Sequence, residues 1–321
     1  MSQTSPAAAT KLTVTVPGGG LRIDQFLAMQ EGIKSRSAAQ KLLDAGLVQC
    51  KGKRVKKSSF KVEGGDIVTY SLPALAPVPE TATSSVKLPV LFEDDECMVI
   101  EKPAGVAVHA GNGIKKDEET IITALKPLFK KRKLSFSEGE VLVHRLDRET
   151  TGCLLIAKNP AAHLKLQKQF ADRSVEKTYL TMVAGIPYPA SAIIDAPIGR
   201  HSQERTKMSV YQATATRHAK TTYRTIGKTD DAALLACDLH TGRTHQIRVH
   251  LKSIGHPVLG DPSYGSGQSE DIAQKNDIDF LCLHAWKLSF VSPSKKKIDV
   301  VCELPKNFVA LLKRMEIKIP K

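Results

Sequence analysis

The chain has no run of about 18 or more apolar residues, the length a membrane-spanning helix requires, which excludes such a helix. Its first residues, MSQTSPAAATKL, lack both a charged lead-in and an apolar stretch, which argues against a secretory signal. The six cysteines (Cys50, Cys97, Cys153, Cys237, Cys282 and Cys302) are scattered, and none forms Cys-x-x-Cys. That spacing disfavours a disulfide framework or a zinc site and predicts buried free thiols in a reducing cytoplasm. There is no Rossmann glycine turn, no phosphate loop and no His/Cys cluster, so nothing points to a redox cofactor, ATP or a metal. No internal repeat is visible. Acid is the scarcer charge: 33 Asp and Glu stand against 47 Lys and Arg, for a net charge of +14. A cytoplasmic chain this basic usually meets a polyanion, with nucleic acid the first candidate.

Residues 1–20, ending in Gly18-Gly19-Gly20, are expected to be a flexible tail. LRIDQFLAMQ, with apolar Leu21, Ile23, Phe26, Leu27 and Met29, predicts a short helix. SRSAAQKLLDAGLV predicts a better one: Ser35 or Ser37 can cap it, Ala38, Leu42 and Leu43 give it an apolar face, and Gly46 can stop it. The following VQCKGKRVKKSSFKVEGGDIVTYSL alternates and turns as short strands do. Cations crowd this segment: Lys34, Arg36, Lys41, Lys51, Lys53, Arg54, Lys56, Lys57 and Lys61. Lys34 and Arg36 fall at a helix start, where free amides also favour phosphate. A helix pair followed by a small basic hairpin, and KSRSAAQKLLDAGLVQCKGKRVKK in particular, resembles the S4-type (alpha-L) RNA-binding domain. The resemblance implies a small α/β RNA-binding domain over residues 21–72, with Lys34, Arg36, Lys41, Lys53, Arg54 and Lys56 on the RNA. PALAPVPETATSSVK, residues 73–87, has the proline and small polar residues of an extended linker.

Residues 88–321 form the expected large domain. Strands are predicted at Val90–Phe92, Cys97–Lys102, Val141–Val143, Leu154–Ala157, Thr178–Val183, Met208–Tyr211, Lys220–Thr225 and Leu234–Leu239. Helices are predicted at Thr120–Lys130, Pro160–Ala171, Thr244–Ile254 and Asn307–Met315. Strands outnumber helices without regular alternation, which predicts an α+β domain with a mixed, mainly antiparallel sheet.

Four stretches combine glycine with charged or aromatic residues at strand ends: EKPAGVAVHAG, HRLDRETTG, EKTYLTMVAG and LHTGRTHQIRVHLKSIGHPVLGDPSYG. HRLDRETTG lies between two apolar runs, a rigid mount for a side chain. In the last stretch Thr244 is the expected N-cap and Gly255 the expected stop of a helix. Ile247, Leu251 and Ile254 are expected to face the core, with His245 and Arg248 on the flank. An arginine rooted in such a helix is well placed to hold a carboxylate.

Together these stretches, with IGRHSQERTKMSV, resemble the RluA family of pseudouridine synthases from about Leu88 to Leu304. HRLDRETTG resembles its catalytic signature, EKTYLTMVAG its tyrosine motif and GRTHQIRVHL…GHPVLGD its arginine motif. Thr151 stands where the family more often has serine. An S4-type domain in front is the arrangement of the bacterial branch that modifies large-subunit ribosomal RNA. The resemblance implies that a uridine is detached at nitrogen 1, turned and rejoined through carbon 5, with no cofactor and no metal. Asp147 is then the catalytic carboxylate, and Arg248 its expected charge partner, with Arg243 second. Tyr179 stacks on the base, its hydroxyl one candidate for removing the proton from carbon 5. Arg145 fills the vacated place or holds a phosphate, Arg243 and His245 line the substrate site, and Leu283 buttresses the pocket. Ribosomal RNA is the first expected partner and transfer RNA the second, for a cytoplasmic monomer. A non-catalytic RNA-binding regulator should lack the Asp, Tyr and Arg set. A nucleoside hydrolase would need no polyanion footprint.

Overall fold

The computed structural model describes residues 10–30, 32–33, 36–72, 84–110 and 118–318. Lys34, Ser35, residues 73–83 of the expected linker and Gly111 lie outside that set. The chain divides into two compact units, residues 1–82 and 83–321.

The first unit contains β1 (Thr10–Thr15), β2 (Leu21–Arg22), α1 (Ile23–Leu27), α2 (Arg36–Asp44), β3 (Val48–Cys50), β4 (Lys53–Arg54), β5 (Lys61–Val62) and β6 (Ile67–Leu72). Four strands form a sheet in the order β1-β6-β3-β4, and β2 pairs with β5. Ile23, Phe26 and Leu27 of α1 and Leu42 and Leu43 of α2 share one core with Val48, Val62, Val68 and Tyr70. The expected tail is corrected here. Thr10 to Thr15 lie in continuous antiparallel register with β6, from Thr10 opposite Leu72 to Thr15 opposite Ile67. Leu12, Val14 and Val16 alternate with exposed neighbours along this stretch, so one face of the strand packs on the core. Ser37 falls inside α2, so it does not precede the helix as a cap.

The second unit opens with β7 (Val90–Glu93), β8 (Cys97–Lys102), α3 (Ile121–Lys131), β9 (Thr151–Ala157), α4 (Pro160–Ala171) and β10 (Glu176–Ala184). It continues with β11 (Ser191–Asp195), β12 (Ile198–His201), β13 (Met208–Ser209), β14 (Ala213–Arg217), β15 (Lys220–Lys228) and β16 (Ala232–Leu239). It ends with α5 (Gln246–Ser253), α6 (Gly267–Lys275), β17 (Leu283–Val291), β18 (Lys297–Val301) and α7 (Lys306–Arg314). Among the described residues, nine strands form one sheet in the order β11-β15-β16-β10-β17-β9-β8-β7, with β18 beside β17. Its pairings are antiparallel except for a short parallel contact of β9 with β17. The unit is therefore α+β with a mainly antiparallel sheet. Period-2 alternation sends Met98 and Ile100 to one face, against Phe129 of α3, and Cys97 and Val99 to the other, against Leu166 of α4. No helix of the described residues is long and apolar enough to cross a membrane. All six cysteines are buried and free.

Several element boundaries differ from expectation. Val141 and Val143 are buried and Leu142 is half-buried, but among the described residues the segment forms only one bridge, Leu142 to Ile156. The next hydrogen bond that a strand would make is taken by a side chain: the Leu155 amide donates to His144 Nε2 at 2.9 Å, and the chain leaves the sheet edge. Met208–Tyr211 shortens to Met208–Ser209. The helix expected at Thr244–Ile254 begins at Gln246, and its N-cap is His245 in a left-handed conformation (φ 56°), not Thr244. It ends at Ser253, so Ile254 falls outside the buried stripe and is exposed.

Candidate active site

The HRLDRETTG loop, residues 144–152, is pinned at both ends. His144 stacks on Phe170 at 4.6 Å between ring centroids, and burial pushes its pKa down to about 3. A neutral ring is what the Leu155 amide needs, since only an unprotonated Nε2 can accept. At the far end, Gly152 has φ +111°, and a Cβ there would lie 2.3 Å from the carbonyl oxygen of Ala285. Only glycine permits the parallel contact of β9 with β17 at this point. Thr151, the departure from the family's serine, lies with its hydroxyl 2.7 Å from His284 Nδ1. The loop is also held from below by Lys102. This fully buried side chain donates to the carbonyls of Pro103 (2.6 Å), Val106 (2.8 Å) and Arg148 (2.8 Å). Burial pulls its pKa down to about 7, against the upward pull of Glu149 and Asp147. Three carbonyl acceptors are satisfied together only by the three N–H groups of the ammonium.

Asp147 projects from this mount into a cavity of about 440 Å³. Its Oδ2 accepts from Arg248 Nη1 at 3.3 Å, and Oδ1 has no hydrogen-bond partner among the described residues. Arg248, not Arg243, is therefore the charge partner. Its other nitrogens are committed to Asp261: Nε donates to Oδ2 at 2.7 Å and Nη2 to Oδ1 at 2.8 Å. Asp261 is itself fixed by the amides of Ser263 (2.9 Å) and Tyr264 (3.1 Å). The guanidinium lies over the Tyr264 ring, 4.9 Å from its centroid. Burial works against the charge on Arg248, but the hydrogen bonds and charge of Asp261, then the charge of Asp147, drive its pKa above the usual value. Burial raises the Asp261 carboxyl, and Arg248 outweighs this and holds it below the usual range. Glu149 points away, toward Arg148 at 3.6 Å.

Tyr179 lines the same cavity from the central strand β10. Its partner register slips there, Thr178 facing Lys287 and Tyr179 facing Ala285, so Trp286 is bulged. Bulges of this kind re-aim a neighbouring side chain. Burial, then the charge of Asp147, raises the pKa of the Tyr179 phenol well above the usual value. Leu283 is buried in the wall, and Arg145 is exposed at the edge of the cavity.

The opposite wall is the turn before α5. Gln246 is its hub: Oε1 accepts from the Thr241 hydroxyl (2.7 Å) and the Arg243 amide (3.0 Å), while Nε2 donates to the Lys220 carbonyl (3.0 Å). Arg243 donates from Nε to the His218 carbonyl at 3.0 Å. The Tyr264 hydroxyl accepts from the Met208 amide (2.8 Å) and lies 2.7 Å from His245 Nδ1. Burial lowers the His245 pKa, and Asp147 acts in the opposite direction.

The structure thus brings Asp147, Tyr179, Arg145, Arg243, His245 and Leu283 to one cavity, with Arg248 behind Asp147. The residues of the first unit are described by themselves. Arg36 is bound to the buried Asp24 at 2.7 and 3.1 Å, beside Arg22, and their hydrogen bonds and charge bring the pKa of Asp24 down to about 2. Lys41, Lys53, Arg54 and Lys56 are exposed and in no ion pair among the described residues. Lys34 lies outside the described residues. Sequence reasoning missed Asp261, Tyr264, Lys102, Lys177, Arg173 and Arg217. GHPVLGDPSYG carried the first two as an acid and an aromatic after a tight turn, but nothing in the sequence places them against a helix 13 residues earlier.

Residues 96–253 match the family described as RNA pseudouridylate synthase, and residues 21–68 match the S4 domain. The chain is 36% identical over 315 residues to the ribosomal large subunit pseudouridine synthase D of Zymomonas mobilis, covering 96% of this chain and 98% of that one. It is 38% identical to the protein of the same name from Nitrosomonas europaea, over 94% of this chain and 87% of that one. Among solved structures it resembles human RNA pseudouridylate synthase domain containing 4, with a TM-score of 0.58 and 29% identity over 72% of this chain and 94% of that one.

Proposed function

The chain belongs to the RluA family of pseudouridine synthases, with an S4 domain in front, and is an isomerase; from that footing we propose that it converts uridine to pseudouridine in large-subunit ribosomal RNA, with Asp147 as the catalytic carboxylate. One observation carries the assignment. Among the described residues, Asp147 is the only carboxylate lining a cavity that also holds Arg145, Arg173, Lys177, Arg217 and Arg243. A single acid among cations suits a polyanionic substrate that reacts at one carbon. The bond from N1 to C1′ breaks, the bond from C5 to C1′ forms, the hydrogen on C5 leaves as a proton, and N1 takes up a proton, so the product is an isomer of the substrate. Asp147 Oδ1 faces the anomeric carbon and stabilises the positive charge that develops there. Arg248 orients it through Oδ2. Tyr179 stacks on the uracil as a neutral phenol, and Leu283 backs the ring. A uridine in folded RNA must leave its stack to enter, and Arg145 takes the vacated place or a phosphate. Arg243 and His245 bind the substrate from the opposite wall. The exposed Lys41, Lys53, Arg54 and Lys56 bind the RNA through the first unit, with Lys34 at the start of its helix. On this reading the protein is a monomer acting in the cytoplasm.

The test is release of tritium to water from unmodified large-subunit ribosomal RNA transcribed with 5-tritiated uridine. Wild type should release label in proportion to pseudouridine formed, and Asp147→Asn, which keeps size and removes charge, should release less than a few per cent of it. Label released from transfer RNA transcripts alone would overturn the substrate assignment. An active Asp147→Asn enzyme would overturn the residue.

A further inference from the structure

We propose that Arg217 and Arg243, joined by Arg173 on the side of the first cavity, form a phosphate-binding wall between two adjoining nucleotide seats, so that the cavity over Asp147 takes the target nucleoside and the groove beyond the wall takes the neighbouring nucleotide of the same strand. The proposal rests on the RNA substrate assigned above. The cavity over Asp147 adjoins a second one of about 350 Å³, and both are bounded by Arg217, Gly242, Arg243 and Thr244. Both volumes fall in the range of roughly 300–1,000 Å³ typical of small-molecule seats. The floor of the second is laid by Gly199 and Arg200 of β12 and Thr214 and Ala215 of β14. The small sheet β12–β14 thereby acquires a role that the catalytic constellation does not give it.

The three arginines arrive from separate elements. Arg173 sits in a left-handed turn (φ 59°) after α4, Arg217 ends β14 with its backbone paired to Ile198, and Arg243 lies in the turn before α5. Four arginines of this unit meet acids: Arg132 with Glu93, Arg148 with Glu118, Arg224 with Asp238 and Arg248 with Asp261. Arg173, Arg217 and Arg243 have no such ion pair among the described residues. All three line the cavity over Asp147 instead. The pKa of Arg243 is lowered first by burial and then by the charges of Arg217 and Arg173. Like charges gathered without an acid repel, and an anion seated among them removes that repulsion. A phosphodiester fits, because guanidinium groups pair with phosphate oxygens through directed N–H bonds. In a continuous strand the phosphate between two nucleotides lies where two adjoining seats meet, and Arg217 and Arg243 stand there.

The experiment uses full-length protein and two single-stranded pentauridylates, one with ordinary phosphate linkages and one with neutral methylphosphonate linkages. Wild type should bind the charged oligonucleotide at least about tenfold more tightly than the neutral one, the scale of one or more charge-assisted contacts. Arg217→Gln and Arg173→Gln should each reduce that ratio by severalfold, and each should flatten the dependence of log K on log salt by about 0.7 per lost contact. Arg217→Lys, which keeps the charge, should retain the salt slope and lose part of the affinity. Unchanged ratio and slope in both glutamine variants would overturn the wall, whatever the first unit contributes to binding. A wild-type protein that released no tritium from any RNA would refute the assignment of the preceding section. The two oligonucleotides would still decide the wall, because they read binding without catalysis.

Discussion

Arg248 has one guanidinium and two acids to serve. It gives Nε and Nη2 to the buried Asp261 and Nη1 to Asp147, so a planar fork holds the proposed catalytic carboxylate in register with a structural one. A lysine offers a single point charge and cannot span both. Arg248→Lys should therefore keep much of the stability but lose most of the single-turnover rate. Arg248→Met should also leave Asp261 buried and unpaired, lowering unfolding free energy by roughly 3–5 kcal/mol in denaturant titration. Equal rates in wild type and Arg248→Lys would show that Asp147 needs no such partner. At Tyr179 the buried phenol is kept protonated. Tyr179→Phe should then retain most activity, whereas Tyr179→Ala loses the stacking face, worth about 1–3 kcal/mol, and should lose tenfold or more in rate. Lys177 gives the site a pH dependence. Burial lowers its pKa to about 8, so it is charged below that pH and neutral above it. The ratio kcat/KM, which reports the free enzyme, should fall as pH rises through about 8, and Lys177→Met should remove that limb. A limb that persists in Lys177→Met belongs to another group.

The elements carry the site by close contacts that admit few substitutes. Adding a methyl at Gly152 places it against the Ala285 carbonyl in a backbone conformation that disfavours any side chain. Gly152→Ala should combine strain of about 1–3 kcal/mol with overpacking of about 1–3 kcal/mol. A drop in melting temperature with matching loss of activity is expected, and an unaltered melting curve would show that β9 and β17 can separate there without cost. Gly260, next to Asp261, is similarly confined: its Cβ would lie 1.9 Å from the Phe280 carbonyl oxygen. Much of the framework was legible because its signals are local. Asn159 and Pro160 announce α4, and the cap is there, Asn159 Oδ1 accepting from the Ala162 amide at 2.8 Å. Thr120 announces α3 in the same way. What failed was decided by contacts distant in sequence. Val141–Val143 has strand composition, but a histidine side chain takes the bond a strand would make. The alternation from Leu12 to Val16 was obscured by the glycine run that follows it. Asp147, Tyr179 and Arg248 stood out because the motifs that hold them resemble those of the RluA family. Asp261, Lys102 and the two unpaired arginines did not, because each acquires its meaning only from a partner supplied by tertiary structure.

Across the whole chain, positive charge is divided between two units with different tasks. In residues 1–82, Lys and Arg outnumber Asp and Glu by eleven to six. Some of those cations are spent internally. Arg22 and Arg36 are bound to Asp24, and Lys51 lies 2.7 Å from Asp66. Lys41, Lys53, Arg54 and Lys56 stay exposed and free to meet phosphate. Asp147, Tyr179, Arg248 and Asp261 all lie in the second unit. A protein lacking residues 1–82 should therefore fold and retain its saturating single-turnover rate, while its affinity for ribosomal RNA falls. Covalent attachment of an RNA-binding unit raises the local concentration of the catalytic one at its substrate, and this is lost on truncation. Both forms should bind more weakly as salt rises, because cations displace counterions from phosphates, and the truncated form should show the shallower slope. Equal slopes for the two forms would mean that the first unit does not touch the RNA backbone. A collapse of the saturating rate would mean that it shapes the RNA for base extrusion, since the chemistry itself needs only residues that the truncated protein retains.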